Sequence, residues 1–526
     1  MCGVAVAIGW PEAEAVVRQL ICGILHRGDI TDPIVVPRAN TAMCTRRLRI
    51  IDGDRAVQPQ ASFDGRLLVS FNGEIYNYRE LRAELAGLGI PFKTESDTEV
   101  LANALQAWGH KALLRLVGMY AFVAIDVASG TFLAARDPFG VKPLYVIQNG
   151  TGFVFCSEIQ PLLDTIETGD VLLLPPGYLL TDNVCAKYHS AIVPPAPSPA
   201  AGDPRALDML LSEAIRIRVP HDQKCGIFFS GGIDSTLVAH YARRFSREVA
   251  GYCLGDEEAA DYPYAAHFAD KTGFDLRLVA FDAESDDTFA LLGDVVDCIE
   301  SFEPGEVRGA VCSHIVAKRM HDDGYRIALC GDGADELFCG YSVLEQAFSE
   351  SFARGCQIRD ECLALMHRTC LQRVDRCSMR FQLEVREPFL DPSVAGYALA
   401  LDVRTLIGGP PGALKGKAAL RDLCDLAPSE LPRMIRDRAK IPFGEGAGLN
   451  PGGTHSSWNA RFESATSDRA FRDGQREFSA FDVASREELF YLRRLSQTMD
   501  VFRVPHLRDR VRVTVPAPSS SIAIRP

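Results

Sequence analysis

Apolar and polar positions divide the chain into stretches of different period. Up to about residue 190, short β-rich apolar runs recur at residues 3–8, 67–71, 121–125 and 153–156, separated by turn clusters. Between them, residues 78–88 place apolar side chains near i, i+3 and i+7, the spacing of a half-buried helix. The pattern predicts a sheet-rich α+β unit. Farther on, strand-like runs at 226–229, 249–254 and 327–330 alternate with helical patterns at 235–245, 263–272 and 311–321. That alternation is the order of a parallel sheet flanked by helices. From about residue 346 to 501 the pattern is mainly helical.

Residues 191–204 are dense in proline, alanine and small polar residues, which stiffen a chain without offering a core face. The expected organisation is therefore a domain over 1–190, a linker over 191–204, a second domain over 205–501 and a polar, proline-containing tail over 502–526. A chain of 526 residues exceeds what one core usually serves, which agrees with a two-domain division.

Apolar residues are 47% and charged residues 24%, a globular balance. The 69 acidic against 56 basic side chains leave a net charge of −13, which disfavours nucleic acid as a partner. The 16 cysteines are scattered, without paired C-x2-C spacing, and read as reduced thiols. With no basic leader and no apolar run approaching a membrane span, the expected place is the cytoplasm.

Candidate chemistry starts at Cys2. Removal of the initiator methionine would make it residue one, with its own α-amine as the neighbouring base for the thiol. Four further segments accompany it: Arg47-Leu-Arg-Ile-Ile-Asp52, Phe71-Asn-Gly-Glu-Ile-Tyr-Asn77, Glu95-Ser-Asp97 and Arg136-Asp-Pro-Phe-Gly-Val-Lys-Pro-Leu-Tyr145. Their order and spacing resemble class II glutamine amidotransferase domains over nearly all of residues 1–190. The resemblance implies an Ntn-hydrolase-like sandwich of antiparallel sheets. It also implies Cys2 as nucleophile, Asn72 and Gly73 as oxyanion hole, and Arg47, Glu74 and Asp97, with Asn72 and Gly73, as the glutamine-binding set. The chain departs from the family at His26-Arg-Gly-Asp-Ile30, where proline and aspartate usually follow the glycine, and at Glu95, where glycine is common.

The second half carries Cys225-Gly-Ile-Phe-Phe-Ser-Gly-Gly-Ile-Asp-Ser-Thr236, an apolar run, a Ser/Gly turn and a helix start. Exposed backbone N–H groups at a helix start suit a phosphate, and the absence of Gly-Lys-Ser/Thr excludes a Walker loop. A second acidic string, Cys330-Gly-Asp-Gly-Ala-Asp-Glu-Leu-Phe-Cys-Gly-Tyr341, follows another apolar run. With Val374 to Met379, Leu383 to Asp391, Lys417 to Arg421 and Arg438 to Phe443, these strings resemble the glutamine-hydrolysing asparagine synthetase family and its ATP-pyrophosphatase-like α/β domain. The resemblance implies an ATP site at Phe228, Ser230, Gly231, Gly232, Asp234, Ser235, Leu254 and Gly331, Mg²⁺ on Asp234 and Asp335, and Lys417 beside the α-phosphate.

Asp332 stands where asparagine synthetases usually carry glutamate and ring-closing β-lactam synthetases carry tyrosine, so it favours amide formation with an external acid. The segment 299–310 keeps Glu300 and Arg308 of the family's acceptor region but replaces its centre by Glu-Pro-Gly-Glu. Arg308 suits an α-carboxylate and equally a structural ion pair. The expected substrates are glutamine, ATP and a carboxylic acid, with aspartate as first candidate and a specialised pathway acid as rival. A homodimer is left open. A ring-closing ligase and a non-catalytic relative are the alternatives; retention of Cys2, Asn72, Asp234, Asp335 and Lys417 argues against the second.

Overall fold

In the computed structural model, which describes residues 2–189, 202–410, 413–441, 443–447 and 457–509, the first apolar run becomes the strand Cys2–Ile8. It lies inside a seven-stranded sheet, between the antiparallel strands Gly152–Cys156 and Thr41–Arg47. A six-stranded antiparallel sheet centred on Leu67–Ile75 and Gly118–Asp126 faces it. Period-2 alternation divides the buried side chains between layers. Val4, Val6 and Ile8 join Val123, Ile125 and Phe155 between the sheets, while Ala5 and Ala7 pack with Val17 and Leu20 of the helix Ala13–Gly23. The opposite sheet rests Phe71, Tyr120 and Phe122 on Leu81 and Leu105, of the helices Tyr78–Gly87 and Asp97–Trp108. The result is a helix–sheet–sheet–helix sandwich.

The second domain is built on a five-stranded, wholly parallel sheet. Its strands run in the order Asp275–Val279, Val249–Leu254, Cys225–Phe228, Ile327–Leu329, Glu384–Arg386. The chain enters at the centre, fills one side, then returns to fill the other. The loops after Cys225–Phe228 and Ile327–Leu329 therefore leave neighbouring carboxyl ends at the point where the winding reverses, the usual place for a ligand in such sheets. Glu384–Arg386 is a strand within the stretch expected to be mainly helical; three residues are too few to print a period.

The linker expected over 191–204 lies largely outside the described residues, but its end is helical. Asp203 caps the helix Pro204–Arg216 by accepting the Arg205 N–H, with proline at the first turn, where no N–H is needed. The tail expected from 502 also starts later. Val504 and Leu507 are buried, and the Val171 N–H donates to the Arg503 carbonyl at 2.8 Å. Residues 510–526 lie outside the described structure.

The two domains share apolar cores. Leu48, Tyr76, Met119 and Val141 pack with Ile327, Leu329 and Phe389. The helices Ala13–Gly23 and Ile159–Thr165 share a second core with Asp286–Ile299 and Arg486–Thr498. Among the described residues no helix is long and apolar enough to cross a membrane.

Candidate active sites

Cys2 begins the central strand of its sheet and Asn72 lies in the facing one, so sheet packing joins them. The Cys2 backbone N–H donates to Asn72 Oδ1 at 2.9 Å, while Asn72 Nδ2, fully buried, has no partner. Gly73 follows in the same strand. A Cβ there would stand 2.1 Å from the Met119 carbonyl oxygen, so only glycine fits. Cys2, Arg47, Gly73, Glu74, Asp97 and Glu384 line one cavity.

Arg47 pairs with Cys2 across the sheet register. Its guanidinium is clamped by both oxygens of Asp32, at 2.8 and 3.1 Å, and by the Gly53 carbonyl. These contacts use one N–H on each of its three nitrogens, leaving one on each terminal nitrogen as a fork. Asp97 opens its helix behind the cap Ser96 and accepts the Ile75 N–H at 3.1 Å. Burial and the Glu384 carboxylate push Asp97 up to about 6, against the Ile75 and Thr98 donors. Burial also pushes Glu74 well above its ordinary value, Arg386 opposing and Asp97 and Glu384 adding. The Cys2 thiol is raised by burial; Arg47 and the Leu48 backbone hold it down in part.

The departure at Asp29 has a local use. Its carboxylate takes Arg49 at 3.1 Å and, from the second domain, Arg326 at 2.9 Å.

At the carboxyl edge of the parallel sheet, the turn 229–232 leads into the helix Ile233–Phe245. Ser230 N–H donates to Ser235 Oγ at 3.2 Å, and Gly232 N–H donates to Ser230 Oγ at 3.3 Å, which curls the turn around its own N–H groups. Gly231 has φ +66°, and a Cβ on it would stand 2.5 Å from the Ala265 nitrogen. Leu254 ends the neighbouring strand, buried, and Gly331 lies so close to Asp234 that a Cβ would stand 2.8 Å from its Cβ.

Lys417, itself at φ +62°, is buried with its ammonium between Asp234 and Asp335 Oδ1, the latter at 2.6 Å. Lys440 holds Asp335 Oδ2 at 2.5 Å. Burial opposes ionisation of Asp335, but the two lysines hold it at about 2. Asp234 is raised by burial and by Asp335, with Lys417 opposing. Asp234 Oδ1 is buried without a hydrogen bond. Two hard carboxylates with such an oxygen fit Mg²⁺, whose remaining positions are ordinarily filled by phosphates and water. Among the described residues no group of three or more His, Cys, Asp or Glu is placed to hold a metal ion.

A cavity of ≈ 100 Å³ beside this cluster is lined by Phe228, Ser313, Asp332, Arg373, Lys440 and Phe443, among others. Arg373 joins Glu306 at 3.1 Å to Asp332 at 3.5 Å.

Both halves of the chain match known families. Residues 1–172 match the glutamine amidotransferase domain family, and residues 206–359 and 354–499, together more than half of the chain, match asparagine synthase. The chain belongs to the asparagine synthase family. With that membership it is an ATP-dependent carbon–nitrogen ligase. Similar proteins include the glutamine-hydrolysing asparagine synthetases of Triphysaria versicolor, 29% identical over 86% of this chain and 78% of the relative, and of Sandersonia aurantiaca, 28% identical over 86% and 88%. Among solved structures, the glutamine phosphoribosylpyrophosphate amidotransferase of B. subtilis, complexed with ADP and GMP, matches at 20% identity and TM-score 0.32, over 53% of this chain and 66% of that one.

Within this asparagine synthase-family chain, Glu300 stands away from the expected acceptor region, and Arg308 takes the structural ion pair of its two readings. Glu300 accepts the Ile159 and Gln160 N–H groups at 2.9 and 2.7 Å and Arg376 at 2.6 Å, capping a helix of the amidotransferase domain. Arg308 is bound to Glu487 at 2.9 Å. Both are structural contacts between elements, and neither side chain lines the cavity beside Asp332. Sequence reasoning named no role for Asp32, Arg373, Glu306 or Lys440. Arg438 to Phe443 contained Lys440 as a motif, but its meeting with Asp335 is a product of folding.

Between the sites runs a buried charge network. Arg27 donates to the Cys2 carbonyl at 3.0 Å, to Glu158 at 2.9 Å and to Asp375 at 2.9 Å, and Lys142 reaches Asp375 at 3.4 Å.

Proposed function

We propose that the chain hydrolyses glutamine at Cys2 and uses the ammonia, with ATP, to amidate a carboxylic acid. The observation that carries the reading is the pairing of Cys2 with Asn72, whose unpartnered Nδ2 is a preorganised donor for the oxyanion formed as the thiolate adds to the carboxamide carbon. The Gly73 N–H is the second donor. After removal of Met1 the Cys2 nitrogen becomes an amine beside its own sulfur, which supplies the base that a thiol raised by burial needs. The open fork of Arg47 suits the glutamine carboxylate, and Glu74 and Asp97 suit the α-ammonium.

In the second domain the Ser230–Ser235 turn suits ATP phosphates, with Phe228, Gly331 and Leu254 as its walls. Asp234 and Asp335 would hold Mg²⁺, which neutralises phosphate charge when bound. Lys417 and Lys440 then face the phosphates as fixed cations. The acceptor carboxylate attacks the α-phosphate, pyrophosphate leaves, and ammonia displaces AMP. Arg373 supports an acceptor carrying a second carboxylate, and the acids around it, Asp332 and Glu306, one carrying an ammonium. L-Aspartate satisfies both, giving asparagine, AMP and pyrophosphate. The enclosed interface around Arg27 and Asp375 supports transfer of ammonia without release to water.

The test is an acceptor screen with glutamine, ATP and Mg²⁺, reading pyrophosphate release over a no-acceptor control. Stimulation by aspartate is expected; stimulation by another acid and none by aspartate would replace the acceptor while leaving the reaction class intact.

A further inference from the structure

We infer that Cys298 and Cys377 form an oxidisable pair where three helices of the second domain meet, Cys298 attacking a hydroperoxide and Cys377 then closing a disulfide with it. Neither side chain lines the Cys2 cavity or the cavity beside Asp332. Packing brings the sulfurs together. Cys298 lies in the last turn of the helix Asp286–Ile299 and Cys377 in the helix Cys370–Met379. Cys298 Sγ lies 3.4 Å from the carbonyl oxygen of Arg376, the residue directly before Cys377, and the two thiols hydrogen-bond each other. Cys377 Sγ donates to the Ala310 carbonyl at 3.4 Å. Ala310 and His314 stand one turn apart on the helix Pro304–Asp322, so the face that holds Cys377 also brings an imidazole beside Cys298. The ring of His314 packs edge-on against Phe381 at 4.7 Å, and its Nδ1, buried, has no hydrogen-bond partner, which leaves it able to take a proton.

The two thiols are unequal. Cys298 is half-buried, whereas Cys377 is wholly enclosed. The hydrogen bond from Cys377, with His314 adding and burial opposing, brings the Cys298 thiol down to about 5. Burial and the Cys298 sulfur push Cys377 well up. Burial likewise pushes Cys156, Cys225 and Cys312 up to about 12. Cys298 is thus the reachable thiolate, and Cys377 the protonated thiol that resolves it. Arg373 stands one turn before Cys377 and Arg376 next to it, so the bond would form beside the guanidinium that reaches Asp332 and the one that holds Glu300.

Two steps complete the reaction. The Cys298 thiol passes its proton to His314, and the thiolate attacks the terminal oxygen of the hydroperoxide. The O–O bond breaks with its electron pair on the leaving oxygen, which takes the proton from His314 and departs as water or an alcohol. Sulfur is oxidised to the sulfenic acid as the peroxide is reduced. The Cys377 sulfur then attacks the Cys298 sulfur; the S–O bond breaks, the Cys377 proton joins the departing hydroxide, and a water leaves behind the disulfide.

The test uses the full chain, reduced, freed of reductant and treated with hydrogen peroxide, then alkylated, digested without reduction at acid pH and mapped by mass spectrometry. The expected product is the linked pair of peptides carrying Cys298 and Cys377, lost on treatment with dithiothreitol. In Cys377→Ser the disulfide cannot close, and dimedone is expected to label Cys298 as the sulfenic acid. In Cys298→Ser, Cys377 is expected to stay reduced. A disulfide from either residue to another cysteine such as Cys312, oxidation confined to the exposed Cys22 and Cys185, or oxidation of Cys377 in Cys298→Ser overturns the inference. Should a variant fail to fold by circular dichroism, the wild-type map decides alone: the Cys298–Cys377 link supports the pair and its absence overturns it. Because the map reads no turnover, failure of the amidotransferase reading would leave this result standing.

Discussion

Arg27 and Asp375, 348 positions apart, meet as a buried ion pair at 2.9 Å between the two domains. Lys142 shares the same carboxylate, and its carboxyl is held below the usual range, burial opposing and Arg27 and Lys142 prevailing. Removing Asp375 leaves two cations in a dry interface. Asp375→Ala is expected to cost about 3–5 kcal/mol and to lower the urea midpoint of unfolding measured by far-UV circular dichroism.

Asn72→Ala removes the oxyanion donor while leaving the strand. Its expected effect is a loss of about 10²–10³ in kcat for glutamine hydrolysis. Cys2→Ala should abolish that activity. In both variants, pyrophosphate release driven by free ammonium is retained, because the carboxyl-edge cleft is untouched; persistence of glutaminase activity in Cys2→Ala would remove the proposed nucleophile.

Arg373 and Arg308 separate an acceptor contact from a structural one. Arg373→Ala should raise KM for the acceptor by about tenfold or more, the worth of a charge-assisted contact. Arg308→Ala breaks the pair with Glu487, so a lower melting temperature is expected with acceptor KM unchanged. Steady-state kinetics with acceptor as varied substrate, alongside thermal denaturation, distinguishes the two.

Glu387 is buried with Oε1 unpartnered, and burial pushes its carboxyl from 4.5 up to about 8, Lys142 opposing and Asp332 and Asp375 adding. A folded-state value above the unfolded one means that its contribution to stability is complete below 4.5 and is lost as pH rises to 8. Glu387→Gln lacks this dependence. The variant should therefore gain on the wild type across that window, by about 3–5 kcal/mol at its alkaline end, and show no relative gain at acid pH. Denaturant midpoints at several pH values read the difference.

Much of the fold was legible because its elements are long enough to print a period. The strand Val249–Leu254 has the bounds expected of it, and the predicted helix at 78–88 is the helix Tyr78–Gly87 within one residue. Other bounds moved because hydrogen-bond pairing sets them: Leu67–Ile75 runs four residues past the apolar run, since register with Gly118–Asp126 continues through Asn72 and Glu74. The strand Glu384–Arg386, with two charged side chains in three, gave no apolar signal and is held by pairing with Ile327–Leu329.

By itself the sequence determined the local devices: the Ser/Gly turn before a helix, and the alternation that builds two opposed sheets and one parallel sheet. These depend on neighbours within a few residues. Tertiary structure alone decided which charges meet. Asp32 under Arg47, Lys440 on Asp335 and Glu384 at the Cys2 cavity are contacts between distant segments. Glu300 and Arg308, one short stretch in sequence, became a helix cap and an ion pair, because partner choice in a buried setting follows from which elements pack together.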